Sequence, residues 1–337
     1  MLPLGGAGTH ANWGSQGGRS LQSQVRGCRQ VPVIVGPTAG GKSALAVDAA
    51  LAMDGEIVTA DAFQVYRGMD IGTAKPTAAD RRGVPHHLID IVDPGERFTL
   101  ADWLAAAERA VAGILARGRT PVVVGGTHLY IKAFLEGMFE GPAQDEVVRE
   151  ELRRLTHADL RAELERVDPG AARRLHPNDQ RRSIRAIEVF RLTGKPISEH
   201  QQQWDREDHR RRDCALVGIE WPAEEINRRI NARVRGMVEC GFVDEARGLW
   251  QSGRLIGQAR EALGYKQLAE HLEGRTTLEE ALERIKIETR RFAKNQRTWM
   301  RRLRLVPGAV WIDAAASPPA QWVGLVRQAC GGDSDRT

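Results

Sequence analysis

Short apolar runs alternate with helical segments along the first part of the chain. The runs VPVIVG (31–36), EIVTAD (56–61) and TPVVVGG (120–126) are rich in β-branched residues, as in strands that are buried on both faces. The order strand, helix, strand, helix, strand predicts a parallel α/β sheet with right-handed crossovers. Ligands of such sheets bind beyond the carboxyl ends of the strands.

The pattern changes near residue 143, where charged helical sequence with turn signals predicts a small all-helical insertion domain. Strand-like runs then return at VGIEW (217–221) and AVWI (309–312), separated by Arg-rich helices. The predicted segments are a tail at 1–30, a first core part at 31–142, the insertion at 143–215, a second core part at 216–325 and a tail at 326–337.

Both tails are predicted to be disordered. The N-terminal one mixes Gly, Ser, Gln and Arg without apolar periodicity and cannot bury enough surface to offset its ordering entropy. A start codon placed too far upstream would explain this segment equally well.

A glycine-rich motif follows the first strand and precedes the helical segment SALAVDAALA. It fits G-x-x-x-x-G-K-[ST] and consists of Gly36, Pro37, Thr38, Ala39, Gly40, Gly41, Lys42 and Ser43. In such a loop, backbone N–H groups and the helix N-terminus converge on a phosphate, Lys42 adds a full positive charge, and Ser43 can ligate Mg²⁺. The motif predicts binding of a nucleotide or another phosphorylated ligand, and an ordinary glycine-rich turn is the alternative.

The third strand lacks the terminal aspartate with which many ATPases and GTPases hold their metal, and ends in Gly125-Gly126-Thr127. The only acid at a strand end is Asp61, for which three roles stay open: magnesium ligand, helix cap, or base toward an acceptor. Thr127 either caps the helix HLYIKAFLEG or contacts a ligand that the two glycines let approach.

Four cations are candidates for surrounding a diphosphate: Lys42, Lys75, Arg229 and Arg233. The two arginines are four residues apart and therefore share a helix face, although such a pair is more often solvated.

The net charge of +5 is unevenly distributed. Residues 1–30 carry +3, residues 284–304 carry +8 from nine Lys or Arg against Glu288 alone, and the rest of the chain therefore carries −6. Phe292 and Trp299 lie among the charges of the second segment, a composition that suits RNA phosphates and unstacked bases. An amphipathic helix whose apolar side packs on the sheet is the alternative, and both can hold for one helix.

Composition narrows the class of protein. A chain of 337 residues, 42% hydrophobic and 28% charged, suggests two domains or one large domain with an insertion, and excludes global disorder or a fibre. No apolar run approaches the ~18 residues of a membrane span, and the N-terminus lacks a secretory signal. Cys28, Cys214, Cys240 and Cys330 are too scattered for a zinc site. We therefore predict a cytoplasmic protein.

These segments together resemble the bacterial tRNA dimethylallyltransferases, over about Pro32 to Trp311. The resemblance is carried by GPTAGGKS (36–43), Asp61 with Gln64 and Tyr66, GMDIGTAKP (68–76), PHHLID (85–90), VVGGTHLYIKAFLEG (123–137), HPND (176–179) with Arg182 and RAIE (185–188), GYKQ (264–267) and RRFAKNQRTWMR.

The resemblance implies an α/β fold with a P-loop NTPase-like parallel sheet flanked by helices. It implies transfer of a dimethylallyl group from dimethylallyl diphosphate, with Mg²⁺, to N6 of adenosine 37 in tRNAs that read codons beginning with U. Asp61 would accept the N6 proton, and Thr127 would contact the diphosphate or its bridging oxygen. The P-loop with Arg229 and Arg233 would hold the diphosphate. The oligomeric state stays open, and nothing in the sequence requires more than a monomer.

The family's contacts with the tRNA anticodon stem-loop map onto Asp61, Ala62, Phe63, Gln64, Thr127, Arg149, Arg181, Arg182, Ser183, Ile184, Arg185, Gly264, Tyr265 and Lys266. Two departures are visible: Ala62 stands where the family commonly has Ser, and the zinc-finger extension of eukaryotic relatives is absent.

Two other classes of function stay open from the residues alone. One is a small-molecule enzyme on the same core, either an isopentenyltransferase acting on a free adenine nucleotide or a P-loop kinase. The other is an RNA-binding module that uses the P-loop structurally.

Overall fold

A computed structural model describes residues 30–138, 141–201 and 213–331. Six strands form one sheet in the order β3-β2-β4-β1-β5-β6, and every neighbouring pair is parallel. The predicted parallel α/β class is confirmed. The strands are β1 Val31–Val35, β2 Gly55–Ala60, β3 His86–His87, β4 Thr120–Gly125, β5 Cys214–Glu220 and β6 Val310–Asp313.

Five of these strands match apolar runs of the sequence, and β3 does not. It consists of His86 and His87, which pair with Ile57 and Val58 of β2 at the edge of the sheet. Two histidines give no apolar pattern, so periodicity could not find this strand.

Helices cover both faces of the sheet. They are α1 Lys42–Ala52, α2 Ala78–Arg81, α3 Leu100–Ala116, α4 His128–Glu136, α5 Glu146–Arg153, α6 His157–Val167, α7 Pro169–Arg174, α8 Gln180–Thr193, α9 Ile197–Gln201, α10 Ala223–Glu239, α11 Phe242–Gln251, α12 Gly257–Arg260, α13 Tyr265–Leu272, α14 Leu278–Leu303 and α15 Trp322–Ala329.

The alternation of side chains along each strand divides the core into two layers. In β1, Val33 and Val35 join a large apolar cluster with α3, α4, α10, α13 and α14, which includes Trp103. Ile34 faces the opposite side and packs with α1 and α15. The P-loop therefore leaves β1 between two covered faces, at the carboxyl edge of the sheet.

The chain folds further toward its C-terminus than predicted. Residues 326–331 were expected in a disordered tail, but Val326 and Cys330 are completely buried against α1 and the sheet. Trp322 and Val326 of α15 and Cys330 at its C-cap follow each other at intervals of four residues and form one apolar stripe. This signal is too short to stand out beside the polar end of the chain. That part of the prediction is wrong; residues 332–337 lie outside the described residues, as do residues 1–29.

The predicted insertion has an apolar core of its own. Leu152, Leu164 and Ile187, from α5, α6 and α8, pack together away from the sheet. The insertion ends and the sheet resumes slightly earlier than predicted, because β5 begins at Cys214. Among the residues that the structure covers, no helix is both long and apolar enough to cross a membrane.

Candidate phosphate-binding and acceptor site

The P-loop has a conformation that requires its glycines. Gly41 has φ +91°, in the left-handed region, and a Cβ at Gly40 would lie 2.8 Å from the carbonyl oxygen of Pro37. The N–H of Gly40 donates to that same oxygen at 3.0 Å, which closes the turn. Gly41 offers no side-chain cap to α1, so the first N–H groups of the helix can bind an anion.

Three of the four predicted cations converge on this loop. Arg229 Nε donates to the carbonyl oxygen of Ala39 at 2.8 Å, and Arg233 Nη1 lies 3.4 Å from Thr38 Oγ1. Lys42 Nζ lies 3.3 Å from the Pro37 oxygen. The arginine pair of α10 thus faces the loop rather than solvent.

An indole ring positions Arg229. The Trp221 ring lies 4.5 Å below the guanidinium carbon of Arg229, and its Nε1 donates to the Gly40 oxygen at 2.9 Å. One aromatic residue therefore contacts both the loop and its arginine.

The electrostatics of the site favour an anion. The pKa of Lys42 is lowered from its ordinary value to about 8: burial lowers it most, the positive charge of Arg233 adds to this, and the Asp61 carboxylate opposes both. Burial also lowers the pKa of Arg233. Burial and like-charge repulsion make these charged groups unfavourable in the free protein. Binding of a diphosphate relieves this cost and is therefore favourable.

Lys75 lines a cavity together with Lys42 and Arg229, but its ammonium group is already bound to nearby carboxylate and carbonyl oxygens. Its Nζ is 2.5 Å from Asp70 Oδ1, 2.5 Å from Asp90 Oδ1 and 2.8 Å from the Tyr66 oxygen, and its side chain is 3% exposed. Because two carboxylates already neutralise its charge, Lys75 stabilises the loop between β2 and α2 instead.

Asp61 follows β2 and uses one oxygen locally. Its Oδ1 accepts the N–H groups of Phe63 at 2.9 Å and Gln64 at 3.3 Å and so caps a turn. The predicted helix cap is wrong, because residues 61–70 form turns and the next helix begins at Ala78. Within 30–138, 141–201 and 213–331, Oδ2 accepts no hydrogen bond. The carboxylate is therefore oriented through one oxygen and keeps the other for a ligand or a proton.

Thr127 is joined to the Asp61 loop. Its hydroxyl oxygen accepts the N–H of Ala62 at 3.3 Å and makes no side-chain cap for α4. The two strands carrying these residues approach closely, since a Cβ at Gly125 would lie 2.1 Å from the Ala60 oxygen. The glycines before Thr127 thus bring the ends of β2 and β4 together.

The predicted tRNA contacts beside Asp61 differ in how exposed their side chains are to a partner. Ala62 and Phe63 are half-buried. Gln64 is buried and donates from its amide to the carbonyl oxygens of Thr73 and Ala74, at 3.1 and 3.3 Å. Its side chain therefore supports the neighbouring loop.

Two connected spaces flank the P-loop. A cavity of about 940 Å³ opens beside Lys42, Ser43 and Arg229, and a smaller one of about 60 Å³ is lined by Asp61 and Gly125. Lys42, Ser43 and Arg233 line both. The larger cavity is of the size that holds small organic ligands.

The site has the chemistry for Mg²⁺ only together with a phosphate. Ser43 is exposed to the larger cavity, and no group of three His, Cys, Asp or Glu side chains in the described part of the chain could hold a metal alone. Mg²⁺ fits such a place, because it commonly takes one or two protein ligands, several waters and phosphate oxygens.

The basic residues predicted on the insertion have two different roles. Arg149 and Arg185 both bind the fully buried carboxylate of Glu188, at 2.9 and 2.8 Å. Burial alone would raise the pKa of Glu188, but hydrogen bonds from Arg149, Arg185 and the Asp145 N–H hold it below its ordinary value.

Residues 181–184 of α8 differ in their exposure. Arg181 and Arg182 are exposed, Ser183 is buried with its hydroxyl on the Asp179 oxygen, and Ile184 packs against the insertion core. The positive charge of Arg182 reaches His128 at the start of α4, where it helps to lower the pKa of that imidazole after burial. The side chain of Arg182 itself pairs with Asp179 at 3.0 Å.

We predict that Glu188→Gln lowers the free energy of unfolding by about 3 kcal/mol, because two guanidinium groups lose their buried counter-charge. Urea unfolding at pH 7 measures this. The difference from wild type should be full above about 4.5 and should shrink progressively as the pH falls from there through the lowered pKa of Glu188 in the folded state.

Glu165→Gln is the matched control. Glu165 is exposed and pairs with Arg161 at 2.7 Å, so its loss should cost less than about 1 kcal/mol. Equal effects of the two substitutions would contradict the structural role of Glu188.

The segment Gly264–Lys266 offers one side chain to a partner. Tyr265 is fully buried and its hydroxyl donates to Glu245 Oε1 at 2.5 Å, and Gly264 donates its N–H to Gln267. Lys266 is exposed. A contact between Tyr265 and RNA would therefore be limited to its backbone.

The basic segment is the C-terminal part of α14, and the predicted amphipathic helix is confirmed. Its contact with RNA stays a prediction. Ala281, Ile285, Met300 and Leu303 are buried, although the helix packs mainly on α10 and α13 rather than on the sheet. The opposite side carries exposed Phe292, and Trp299 lies 5.4 Å from the His128 ring.

Sequence analysis missed Gln296, which lies on the buried face of α14. Its side-chain amide accepts the N–H of Thr38 and donates to the carbonyl oxygen of Gly126, both at 2.8 Å. The available signal was its spacing, because Gln296 lies three residues after Ala293 and four before Met300, on the apolar stripe.

Comparisons with known proteins agree with this architecture. The sequence profile of a family described as IPP transferase matches residues 64–303, and that of a family described as isopentenyl transferase matches residues 29–90. The tRNA dimethylallyltransferase of Anaeromyxobacter dehalogenans (strain 2CP-1) is 46% identical over 302 residues, covering 88% of this chain and 95% of that protein. The one of Geobacter sulfurreducens is also 46% identical, with 88% and 96% covered.

Solved structures show the same likeness. The full-length tRNA isopentenylpyrophosphate transferase of Bacillus halodurans has a TM-score of 0.66 at 39% identity, covering 90% of this chain and 96% of that one. A eukaryotic dimethylallyltransferase acting on tRNA has a TM-score of 0.75 at 28% identity, with 88% and 76% covered. With this sequence likeness over most of its length, the chain belongs to the IPP transferase family and, within it, to the tRNA dimethylallyltransferases.

Proposed function

We propose that this chain transfers the dimethylallyl group of dimethylallyl diphosphate to N6 of adenosine 37, in tRNAs reading codons that begin with U. The products are N6-(dimethylallyl)adenosine and diphosphate. The observation that supports this most directly is the small cavity that Asp61 shares with Lys42 and Arg233. A base and the cations for a leaving diphosphate lie there side by side.

The chemistry is a substitution at an allylic carbon. The bond from this carbon to the bridging oxygen breaks, the oxygen keeps the electron pair, and the adenine N6 forms the new bond. Lys42, Arg229, Arg233 and the α1 N-terminus stabilise the charge that develops on the diphosphate. No ATP hydrolysis is needed, which agrees with the absence of an acid after β4.

Asp61 accepts the proton that N6 loses. Its Oδ1 is held by two backbone N–H groups, so Oδ2 is the atom that receives the proton. Thr127, through its link to Ala62, stands between this carboxylate and the end of β4, where it contacts the diphosphate or its bridging oxygen. Mg²⁺ on Ser43 supplies further charge neutralisation when the donor is bound.

The tRNA approaches from the side of Thr127 and His128. Trp299 of α14 lies 5.4 Å from the His128 ring, and the same helix carries exposed Lys294, Arg301 and Arg302, which have no acidic partner among the residues described. Their charges suit the phosphates of the anticodon stem-loop, and release of the target base from its stack costs a few kcal/mol, least in a single-stranded loop. The protein works in the cytoplasm, and its site is complete within one chain.

Incubation of the purified chain with Mg²⁺, labelled dimethylallyl diphosphate and a tRNA transcript carrying A36-A37-A38 tests the proposal. We expect one label per tRNA, located at A37 by nucleoside mass spectrometry. A transcript with G37 is the control and should stay unlabelled. Label on free AMP with none on tRNA, or phosphate transfer from ATP, would replace the proposal with one of the small-molecule activities.

A further inference from the structure

Gln296 of α14 hydrogen-bonds to two separate parts of the site. Its Oε1 accepts the N–H of Thr38 in the P-loop, and its Nε2 donates to the carbonyl oxygen of Gly126, which precedes Thr127; both distances are 2.8 Å. The partners lie 258 and 170 residues away along the chain, so this contact belongs to the tertiary fold.

The surroundings leave little room for another arrangement. Gln296 is 5% exposed. A Cβ at Gly126 would lie 2.5 Å from Gln296 Nε2 and 3.3 Å from Lys42 Nζ, so the amide, the P-loop lysine and Gly126 meet at one point. A side chain of another shape or hydrogen-bonding pattern would move at least one of them.

We infer that Gln296 is a positioning residue for the transfer reaction: it sets the distance between the diphosphate cradle and the strand end that carries Thr127. This inference rests on the proposed function. Gln296 touches neither substrate; it acts through the backbone of Thr38 and Gly126.

The split between binding and turnover follows from the geometry. The cradle has its own closing bond, from the Gly40 N–H to the Pro37 oxygen, and this bond does not involve Gln296. Donor affinity should therefore survive the loss of the amide. The cradle can then shift relative to Thr127 and Asp61, and a shift of ~1 Å between reacting groups lowers rates by about 100-fold.

The first test is Gln296→Met, which keeps the length of the side chain and removes both hydrogen bonds. We expect kcat for tRNA prenylation to fall about 10–100-fold, with the KM for tRNA and the Kd for the donor changed less than about threefold. The Kd is measured by calorimetry with the unreactive thiolodiphosphate analogue of the donor. If Gln296→Met raises the Kd for the donor analogue and leaves kcat for tRNA prenylation unchanged, the inference is overturned.

A matched control removes another tertiary hydrogen bond of α14. Asn231 Oδ1 of α10 accepts from Arg290 at 2.7 Å, away from the P-loop. Asn231→Leu should lower the thermal midpoint about as much as Gln296→Met and leave kcat near wild type. A similar loss of kcat in both variants would mean that Gln296 is merely structural.

A double-mutant cycle tests the position of the amide. Gly126→Ala places a methyl group against Gln296 Nε2 and should lower kcat, whereas in Gln296→Ala this contact is gone and the added methyl should cost little. The expected result is a double variant no slower than Gln296→Ala alone. If the reductions in kcat of the two single variants multiply in the double variant, the two residues act independently.

The two proposals can fail separately. If the wild-type chain prenylates AMP instead of tRNA, the kcat comparison is made with AMP and the inference about Gln296 stands or falls there. If wild-type tRNA transfer is confirmed and Gln296→Met keeps full kcat, only this inference is lost.

Discussion

Asp61→Asn is expected to lower kcat for tRNA prenylation by about 10²–10⁴-fold, the range found when a general base is removed. The amide keeps an oxygen that can accept the N–H groups of Phe63 and Gln64, so the loop retains its shape. It cannot take the proton from N6. The Kd for the thiolodiphosphate analogue should therefore stay within about threefold of wild type, because no bond to the P-loop changes.

Asp145→Asn is the control for this substitution. Asp145 Oδ1 accepts the N–H groups of Val147 and Val148 at 2.9 and 3.1 Å, the same pattern as Asp61, but it lies at the start of α5 in the insertion. Its variant should keep near-normal kcat. A nearly active Asp61→Asn would leave Asp61 with its capping role alone and would move the search for the base elsewhere.

The parts of the site that the sequence predicts well are those made by consecutive residues. The P-loop is one continuous motif, and its glycines are needed for a turn whose geometry is local. Asp61 and Thr127 come directly after apolar strands, and neighbouring parallel strands end at the same edge of the sheet.

The parts that it predicts poorly depend on partners far along the chain. Lys75 is neutralised by Asp70 and Asp90, and its basic character alone could not show that both carboxylates are already bound to it. Tyr265 belongs to a sequence that resembles an RNA contact, yet its side chain is in the core. Gln296 lies in a basic segment whose charges indicate a role for the exposed face of α14. Its amide, however, makes its hydrogen bonds on the buried face of that helix.

Lys42→Met is expected to weaken donor binding by about 100-fold, corresponding to about 3 kcal/mol, because the diphosphate loses a desolvated charge partner. Lys195→Met, at an exposed position of the insertion, is the control and should bind the donor like wild type. Calorimetric Kd values for the thiolodiphosphate analogue at pH 7 measure both.

The charge of Lys42 also predicts how kcat/KM for the donor changes with pH. Only the ammonium form of Lys42 attracts diphosphate, and its pKa in the free protein is about 8. Wild-type kcat/KM for the donor should therefore fall as the pH rises through about 8, and the limb should be absent in Lys42→Met. In kcat itself the limb should lie at higher pH, because the bound diphosphate favours the charged form.

The same charge has the opposite effect on the stability of the free protein. Because folding lowers the pKa of Lys42, the unfolded chain holds more protons between about 8 and 10.5, and the cost is fully present below about 8. Lys42→Met should then be at least as stable as wild type at pH 7 without donor, and should be stabilised less than wild type by the same concentration of donor analogue, since its Kd is about 100-fold higher. A lower thermal midpoint of Lys42→Met without donor would contradict the prediction that the Lys42 charge destabilises the free protein. It would instead make Lys42 a structural residue of the loop.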